Sequence, residues 1–269
     1  MKLSLAISTQ PAKFSAVAYK GQLAETIRKI KSFGYDGVEL AVRDPKQLDL
    51  IQLESVLDDT GLVVSAIGTG QAYGEEGLSF ADRASTIRQA AIQRIVEQIA
   101  LGERLKAVVI IGLIRGTIGK DVSRDEAYHW LIDALREVCA IAVEKNVRLA
   151  LEPINRYETS LIVTAEEGLQ LLVDVGSPAL GLLLDTFHMN IEEPSLEHAI
   201  KNVGDRIYHV HLADSNRWYP GAGHIDFSAV VGALRSIGYN GWLSAEIMPL
   251  PDADTGAIKA IETMRRLLG

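Results

Sequence analysis

The chain has 269 residues, of which 48% are hydrophobic and 23% charged, a composition typical of a globular protein. Its 27 basic and 35 acidic residues give a net charge of −8, whereas nucleic-acid-binding proteins usually present a basic face. We therefore expect no nucleic-acid partner, although a small anionic ligand would need only one or two local cations.

The apolar segments are too short for a signal sequence or a membrane span. The first one ends at Ser8, and the longest, Ala107–Ile114, is far below the ~20 residues that a span requires. The single cysteine, Cys139, lies in a helical pattern, where it is expected to be a small core residue, and it excludes an intrachain disulfide. These features predict a cytoplasmic protein that does not interact with membranes.

Short runs of aliphatic and β-branched residues recur along the whole chain. They are apolar on both faces and are bounded by Gly, Pro, Asp or Asn, which is typical of parallel strands covered by helices. In chain order the eight runs are Leu3–Ser8, Gly37–Val42, Val63–Thr69, Ala107–Leu113, Val147–Pro153, Leu180–Thr186, Ile207–Asp214 and Gly241–Ile247.

Segments with helical periodicity lie between these runs. Apolar residues repeat every four positions from Ile87 to Ile99, and Ser195 and Asp226 stand where the caps of two later helices are expected. Eight strand–helix units without a Pro- or Ser-rich linker predict an α/β fold, a single (β/α)8 TIM barrel domain over residues 1–269. A doubly wound sheet is the alternative.

Polar residues end the last four runs, at the rim where TIM barrels carry their active sites. They are Glu152, Asp185, His211 and Glu246, and their apolar neighbours indicate that all four point into the barrel. Three carboxylates and one imidazole are too costly to bury together unpaired, so they predict a divalent-cation site. Oxygen-rich ligation with one histidine suits Mn²⁺, Mg²⁺ or Co²⁺, of which we expect Mn²⁺.

The first and last of these ligands belong to strands on opposite sides of the barrel. The strands should lie about 13 Å apart, so the side chains of Glu152 and Glu246 leave a gap of about 4 Å for a planar substrate fragment. We therefore predict that both are catalytic acid/bases: one removes a proton beside a keto group, and the other supplies one to the opposite face. The cation would polarise the carbonyl and stabilise the enediolate.

At these residues the sequence resembles the xylose-isomerase-like barrel superfamily, and within it the D-tagatose/ketose 3-epimerase family. The resemblance spans the whole chain and is densest from Glu152 to Glu246. It implies the same four ligands and two acid/bases, and it adds Glu158, His188 and Arg217 as substrate-binding residues. It also implies a homo-oligomer, either a dimer or a tetramer.

Other segments resemble a branch of that family that acts on keto-sugar acids of the 5-keto-L-gluconate or tagaturonate type. They are Ala66–Tyr73, Ile110–Gly116 and His211–Phe227. Within them Gln71, Arg115 and His224 are expected to bind substrate. Arg115 ends a predicted strand beside the metal strands, and a guanidinium suits a carboxylate or phosphate. A salt bridge from Arg115 to a neighbouring helix is the alternative.

Three further polar residues have structural interpretations beside functional ones. His209 lies two residues before His211 and is predicted to be a hydrogen-bonded residue of the barrel core. Glu39 ends the second run and either joins the substrate wall or pairs with a Lys or Arg. Asp226 is expected to cap the helix that follows it.

The sequence thus predicts a metal-dependent epimerase that inverts the carbon next to the keto group of a ketose or keto-sugar acid. An aldose–ketose isomerase for a sugar or sugar phosphate, or an inosose-type dehydratase, would use similar chemistry and stays open. A hydrolase like endonuclease IV is a remote alternative, because those barrels carry multinuclear zinc on many histidines and this chain has six. A non-catalytic sugar-binding barrel is the other alternative.

Overall fold

The computed structural model describes residues 1–269 and contains one nine-stranded sheet in which every pairing is parallel. The strands are β1 (Lys2–Ser8), β2 (Tyr19–Lys20), β3 (Gly37–Ala41), β4 (Val63–Gly68), β5 (Val108–Ile111), β6 (Leu149–Leu151), β7 (Leu180–Asp185), β8 (Ile207–Leu212) and β9 (Trp242–Ala245). Because β9 also pairs with β1, eight strands close into a ring. The short strand β2 pairs with the end of β1 outside that ring.

Ten α-helices surround the strands. They are α1 (Leu23–Ser32), α2 (Leu50–Thr60), α3 (Gly70–Glu76), α4 (Ser85–Leu105), α5 (Arg124–Glu144), α6 (Ala165–Val175), α7 (Thr186–Glu192), α8 (Leu196–Val203), α9 (Phe227–Ser236) and α10 (Ala253–Leu268). The structure confirms the predicted (β/α)8 TIM barrel. The sequence did not predict α3 and α7, because helices of seven residues are too short to show a clear apolar period.

Apolar side chains form two separate cores, one outside the strands and one inside the barrel. The outer core joins 69 buried residues, among them Leu151 and Leu184, between the strands and the helices. The inner core consists of Ala66, Ile110, Ala150 and Leu183. Because side chains alternate along a strand, residues two positions beyond Ala150 and Leu183 also face the barrel interior. Those residues are Glu152 and Asp185.

Two predicted helix starts are confirmed by side-chain caps. The carboxylate of Asp226 accepts hydrogen bonds from the amides of Ser228 and Ala229 at the start of α9. The hydroxyl of Ser195 accepts from the amide of His198 at the start of α8. Each cap satisfies amides that have no partner within the helix. Asp226 therefore has the structural role expected of it.

Strand β6 is shorter than the predicted run Val147–Pro153. Pro153 has no N–H to continue the ladder and restricts the residue before it to an extended backbone. The amide of Glu152 still donates to the carbonyl of Ile111 at 3.2 Å, so the backbone is anchored up to this residue. Glu152 therefore stands at the mouth of the barrel, directly after a fixed strand.

Cys139 is buried within α5, which confirms its predicted core position. Burial raises the pKa of the Cys139 thiol to about 11, so the sulfur stays protonated at neutral pH. None of the helices combines the length and the apolar composition needed to cross a membrane.

Candidate active site

Four side chains meet at the C-terminal ends of β6, β7, β8 and β9. They are Glu152, Asp185, His211 and Glu246, and one ligand atom of each lies within 4.8 Å of every other. His211 Nδ1 is 3.6 Å from Glu152 Oε1, 3.9 Å from Asp185 Oδ2 and 3.8 Å from Glu246 Oε2. The fold thus brings together the four residues that were predicted to hold a metal.

Three atoms of this cluster are buried and have no hydrogen-bond partner: Glu152 Oε1, Asp185 Oδ2 and His211 Nδ1. An unpaired buried donor or acceptor costs about 1–3 kcal/mol, so three that converge indicate that a further group completes the cluster. Three carboxylate oxygens and one imidazole nitrogen suit a hard or borderline divalent cation such as Mn²⁺ or Mg²⁺. The residues present therefore fit the predicted cation.

Glu39, on β3, joins two histidines of β8 through a single carboxylate. It accepts from His209 Nε2 at 2.8 Å and from His211 Nε2 at 2.9 Å. The second bond turns His211 Nδ1 towards the carboxylate cluster, as partners behind metal-binding histidines commonly do. Burial would raise the pKa of Glu39, but the two imidazoles outweigh burial and hold that pKa below its usual range.

The role of Glu39 was only partly predictable from the sequence. The predicted alternatives were a substrate contact or a Lys or Arg partner, whereas in the structure Glu39 pairs with two histidines and also lines the cavity. One signal for this pairing was present in the sequence. His209 and His211 are two positions apart on one strand, so both rings point into the barrel, where an acidic side chain that also points inward can contact them. The predicted core role of His209 is confirmed.

The two glutamates of the cluster have pKa values shifted in opposite directions. Burial opposes ionisation of Glu152, but the imidazoles of His211 and His188 outweigh burial and lower the pKa. Burial raises the pKa of Glu246 to about 7, and the nearby Glu152 and Asp185 add to the increase. Paired carboxyl groups whose pKa values are driven apart are typical of acid/base sites.

Arg217 links Glu246 to Glu158 and packs between two aromatic rings. Its guanidinium donates to Glu246 Oε2 at 2.8 Å and to Glu158 Oε1 at 3.1 Å. The rings of Phe14 and Phe187 lie 5.3 Å and 4.8 Å from the guanidinium carbon, a favourable cation–π geometry. Arg217 has a left-handed backbone with φ 60°, which surrounding contacts must hold in place.

Asn155, which the sequence analysis did not single out, fixes the orientation of His188. Asn155 Oδ1 accepts from the amide of Tyr157, so its Nδ2 is the atom that donates to His188 Nδ1 at 2.7 Å and to Glu158 Oε1 at 3.0 Å. Burial lowers the pKa of His188, and the neutral ring therefore carries its proton on Nε2. That nitrogen lies 3.7 Å from Glu152 Oε1, beside the cluster.

A cavity of about 300 Å³ opens above the cluster. Its charged and polar lining residues are Glu39, Glu75, Glu152, Glu158, Glu246, Lys13, Arg217, His188, His211, Thr69 and Gln71. The volume is at the lower end of the range for small-molecule sites. Of the predicted substrate-binding residues, Glu158, His188, Arg217 and Gln71 line this cavity.

Arg115 does not lie on the cavity wall, which corrects its predicted position. Its side chain is fully buried, and the guanidinium donates to the carbonyls of Leu161 at 2.9 Å, Ile162 at 3.1 Å and Glu152. The guanidinium N–H groups of Arg115 that a substrate carboxylate would need are therefore already donated to backbone carbonyls. The alternative of a salt bridge to a helix is not observed either. Burial lowers the pKa of Arg115 to about 10, so the guanidinium is charged at neutral pH.

His224 also lies off the cavity. It is exposed, and its Nδ1 contacts the hydroxyl of Ser215 at 3.0 Å. The loop that contains it is organised by Asp214, whose carboxylate accepts from the amides of Ser215, Gly221 and Ile225. This loop also carries Arg217, so its contribution to the site is to place the guanidinium rather than the imidazole.

The fold and this cluster together define a class: a TIM barrel with a cluster of three carboxylates and one histidine at its C-terminal rim that could hold a metal ion. Residues 27–267 match the family described as xylose isomerase-like TIM barrel. Because that match covers most of the chain, the protein belongs to the xylose isomerase-like TIM barrel family.

Sugar epimerases are among its similar proteins. The chain is 33% identical over 256 residues to L-ribulose 3-epimerase of Mesorhizobium japonicum, which covers 94% of this chain and 85% of that protein. It is 29% identical to 3-dehydro-D-guloside 4-epimerase of Escherichia coli, over 89% of this chain and 91% of that protein. The crystal structure of D-allulose 3-epimerase from Methylomonas sp. with D-allulose superposes with a TM-score of 0.85 at 26% identity, over 99% and 96% of the two chains.

Proposed function

We propose that this protein is a divalent-metal-dependent epimerase that inverts the carbon next to the keto group of a ketose or keto-sugar acid. The observation that carries the proposal is the convergence of the carboxylates of Glu152 and Glu246, which follow β6 and β9, on one cluster with Asp185 and His211. The relatives named as 3- and 4-epimerases support the same reaction type. Mn²⁺ as the cation, a homo-oligomeric state and a cytoplasmic location stay predictions of the sequence.

Epimerisation requires one group to remove a proton and another to return one from the opposite face. Glu152 and Glu246 are carboxyl groups of the cluster that come from different strands, so one can accept the proton and the other can supply one. In the reverse direction the two exchange roles. A divalent cation held by Glu152, Asp185, His211 and Glu246 would polarise the keto oxygen and stabilise the negative charge that develops on it.

Three further residues orient the substrate and balance its charge. The Nε2–H of His188 is placed to donate to a substrate oxygen near Glu152. Glu158 is about 30% exposed at the cavity edge and can accept from a sugar hydroxyl. Arg217 offsets the charge of Glu246 and Glu158, which keeps the carboxylates from repelling each other when a proton moves.

Asn155→Asp is expected to move the proton of His188 from Nε2 to Nδ1, because a carboxylate can only accept at this position. Loss of the Nε2 donor should lower kcat/KM by about tenfold, the equivalent of one hydrogen bond. Nitrogen-15 NMR of the imidazole reports the tautomer, and Asn202→Asp is the matched control because Asn202 contacts His198 at the surface. A variant that keeps Nε2–H would contradict this role of Asn155.

Proton NMR in D₂O with Mn²⁺ tests the proposed function. Ketoses, ketose phosphates and keto-uronates are each incubated with the protein, and deuterium is expected at the carbon beside the carbonyl together with the inverted sugar. Formation of an aldose would identify an isomerase instead, and loss of water would identify a dehydratase. Absence of exchange with every compound would contradict the proposal.

A further inference from the structure

Gln71 on α3 presents a buried carboxamide of fixed orientation to the cavity. Its Nε2 donates to the hydroxyl of Ser8 at 2.8 Å, and that hydroxyl donates its only proton to the carbonyl of Gln10 at 2.6 Å. Ser8 Oγ can therefore only accept from Gln71, which identifies the contacting atom as nitrogen. The remaining atom of the amide, Oε1, is an acceptor.

That acceptor has no partner within the protein. Gln71 is 5% exposed, and its Oε1 is one of the buried polar atoms without a hydrogen bond. An unpaired acceptor costs about 1–3 kcal/mol, and a hydroxyl donor supplied by a bound molecule would remove this cost. A carboxylate or a dianionic phosphate has no hydrogen to donate to it.

The position of Gln71 in the barrel indicates which part of a substrate it meets. The cation cluster occupies the rim from β6 to β9, whereas Gln71 follows β4 and its partner Ser8 ends β1, in the other half of the ring. A substrate whose keto group lies at the cluster extends across the mouth towards this half. Gln71 therefore meets the end of the substrate far from the keto group.

The cavity as a whole is lined by more acidic than basic side chains, which does not favour an anionic substrate. Five carboxylates line the cavity, against the basic residues Lys13 and Arg217. Arg217 is already engaged by Glu158 and Glu246, and Lys13 is an exposed residue of the mouth. Arg115, the cation that the sequence suggested for an anionic substrate, is enclosed by backbone carbonyls.

We propose that Gln71 recognises a hydroxyl at the substrate end far from the keto group, so that the protein selects a neutral ketose over a keto-sugar acid. This inference rests on the proposed function and specifies its substrate class. Gln71 is a specificity-determining residue: it distinguishes substrates by the far substituent and takes no part in the proton transfer.

Three probes that differ only at this substituent test the inference: D-fructose, 6-deoxy-D-fructose and D-fructuronate. Deuterium exchange with Mn²⁺-loaded protein gives kcat/KM for each, and titration calorimetry gives Kd. We expect the wild-type protein to prefer D-fructose. Gln71→Met should lower kcat/KM for D-fructose by about tenfold, whereas kcat/KM for 6-deoxy-D-fructose should change little. Gln98→Met is the matched control, because Gln98 Oε1 is also buried and unpartnered but lies outside the cavity.

Each outcome separates the inference from the proposed function. Equal losses with D-fructose and 6-deoxy-D-fructose in Gln71→Met, or a wild-type preference for D-fructuronate, would overturn the role of Gln71 while epimerisation itself stands. In the second case Lys13→Ala should selectively lose activity with D-fructuronate. That result would place the carboxylate of the substrate beside Lys13 at the mouth of the cavity. If no probe exchanges its proton, the proposed function for this sugar class fails and the inference with it.

Discussion

Glu152→Gln and Glu246→Gln are each expected to lower the rate of epimerisation by about 10²- to 10⁴-fold, the range for loss of a general acid or base. Glutamine keeps the shape of the side chain but cannot take up or release the proton. Both residues also belong to the cation cluster, so we expect a weaker affinity for Mn²⁺ as well. Rates are measured by product formation at saturating Mn²⁺, which separates the two effects.

The two variants should differ in the hydrogen exchange that they retain. With one carboxylate removed, the other can still remove and return a proton on its own face, so each variant exchanges one epimer without inverting it. The retained epimer should be opposite in the two variants. Glu262→Gln, which changes a surface ion pair with Lys259, is the control and should keep full activity. Full activity in either active-site variant would refute the two-base mechanism.

Arg115→Met should lower the free energy of unfolding by about 3 kcal/mol, because it removes a buried cation and leaves the carbonyls of Glu152 and Leu161 without a donor. The guanidinium connects the carbonyl of Glu152 to those of Leu161 and Ile162. Loss of this connection should also let Glu152 move, and a displacement of about 1 Å can cost roughly 100-fold in rate. Urea unfolding and deuterium exchange measure the two effects.

Two further variants distinguish this structural role from the substrate contact suggested by the sequence. Arg136→Met is the control for stability, since the exposed Arg136 donates to one carbonyl, that of Asp174. Arg115→Lys keeps the charge, but one ammonium cannot reach all three carbonyls, so the stability of this variant should lie between those of wild type and Arg115→Met. Unchanged stability together with a selective loss of uronate turnover would contradict our assignment and restore a substrate contact.

The predicted barrel and its four cluster residues followed from local patterns in the sequence. Apolar runs of strand length at regular intervals predict parallel strands, and each polar cluster residue stood at the end of such a run. Because TIM barrels collect these ends at one rim, Glu152 and Glu246 could be placed together although they lie 94 positions apart in the sequence. The caps of α8 and α9 were predictable because a cap depends on residues two or three positions away.

The partners of individual side chains were not predictable in this way. Arg115 follows a strand as a substrate-binding residue would, yet its guanidinium turns into the protein because the loop at Leu161 and Ile162 presents carbonyls to it. Asn155 gave no signal at all, since its effect depends on the distance to His188, which lies on α7 and is 33 positions away in the sequence. Such contacts depend on how loops of distant sequence pack, and no local pattern records that packing.

The sequence by itself determined the class of fold and the rim at which Glu152, Asp185, His211 and Glu246 meet, because these depend on periodicity and on strand ends. The tertiary structure alone decided which nitrogen of His188 and His211 faces the cavity, and that the guanidinium of Arg115 binds the carbonyl of Glu152. It also decided that Gln71 offers a free acceptor. The physical reason is that hydrogen bonds depend on distances of a few tenths of an ångström between atoms remote in the sequence.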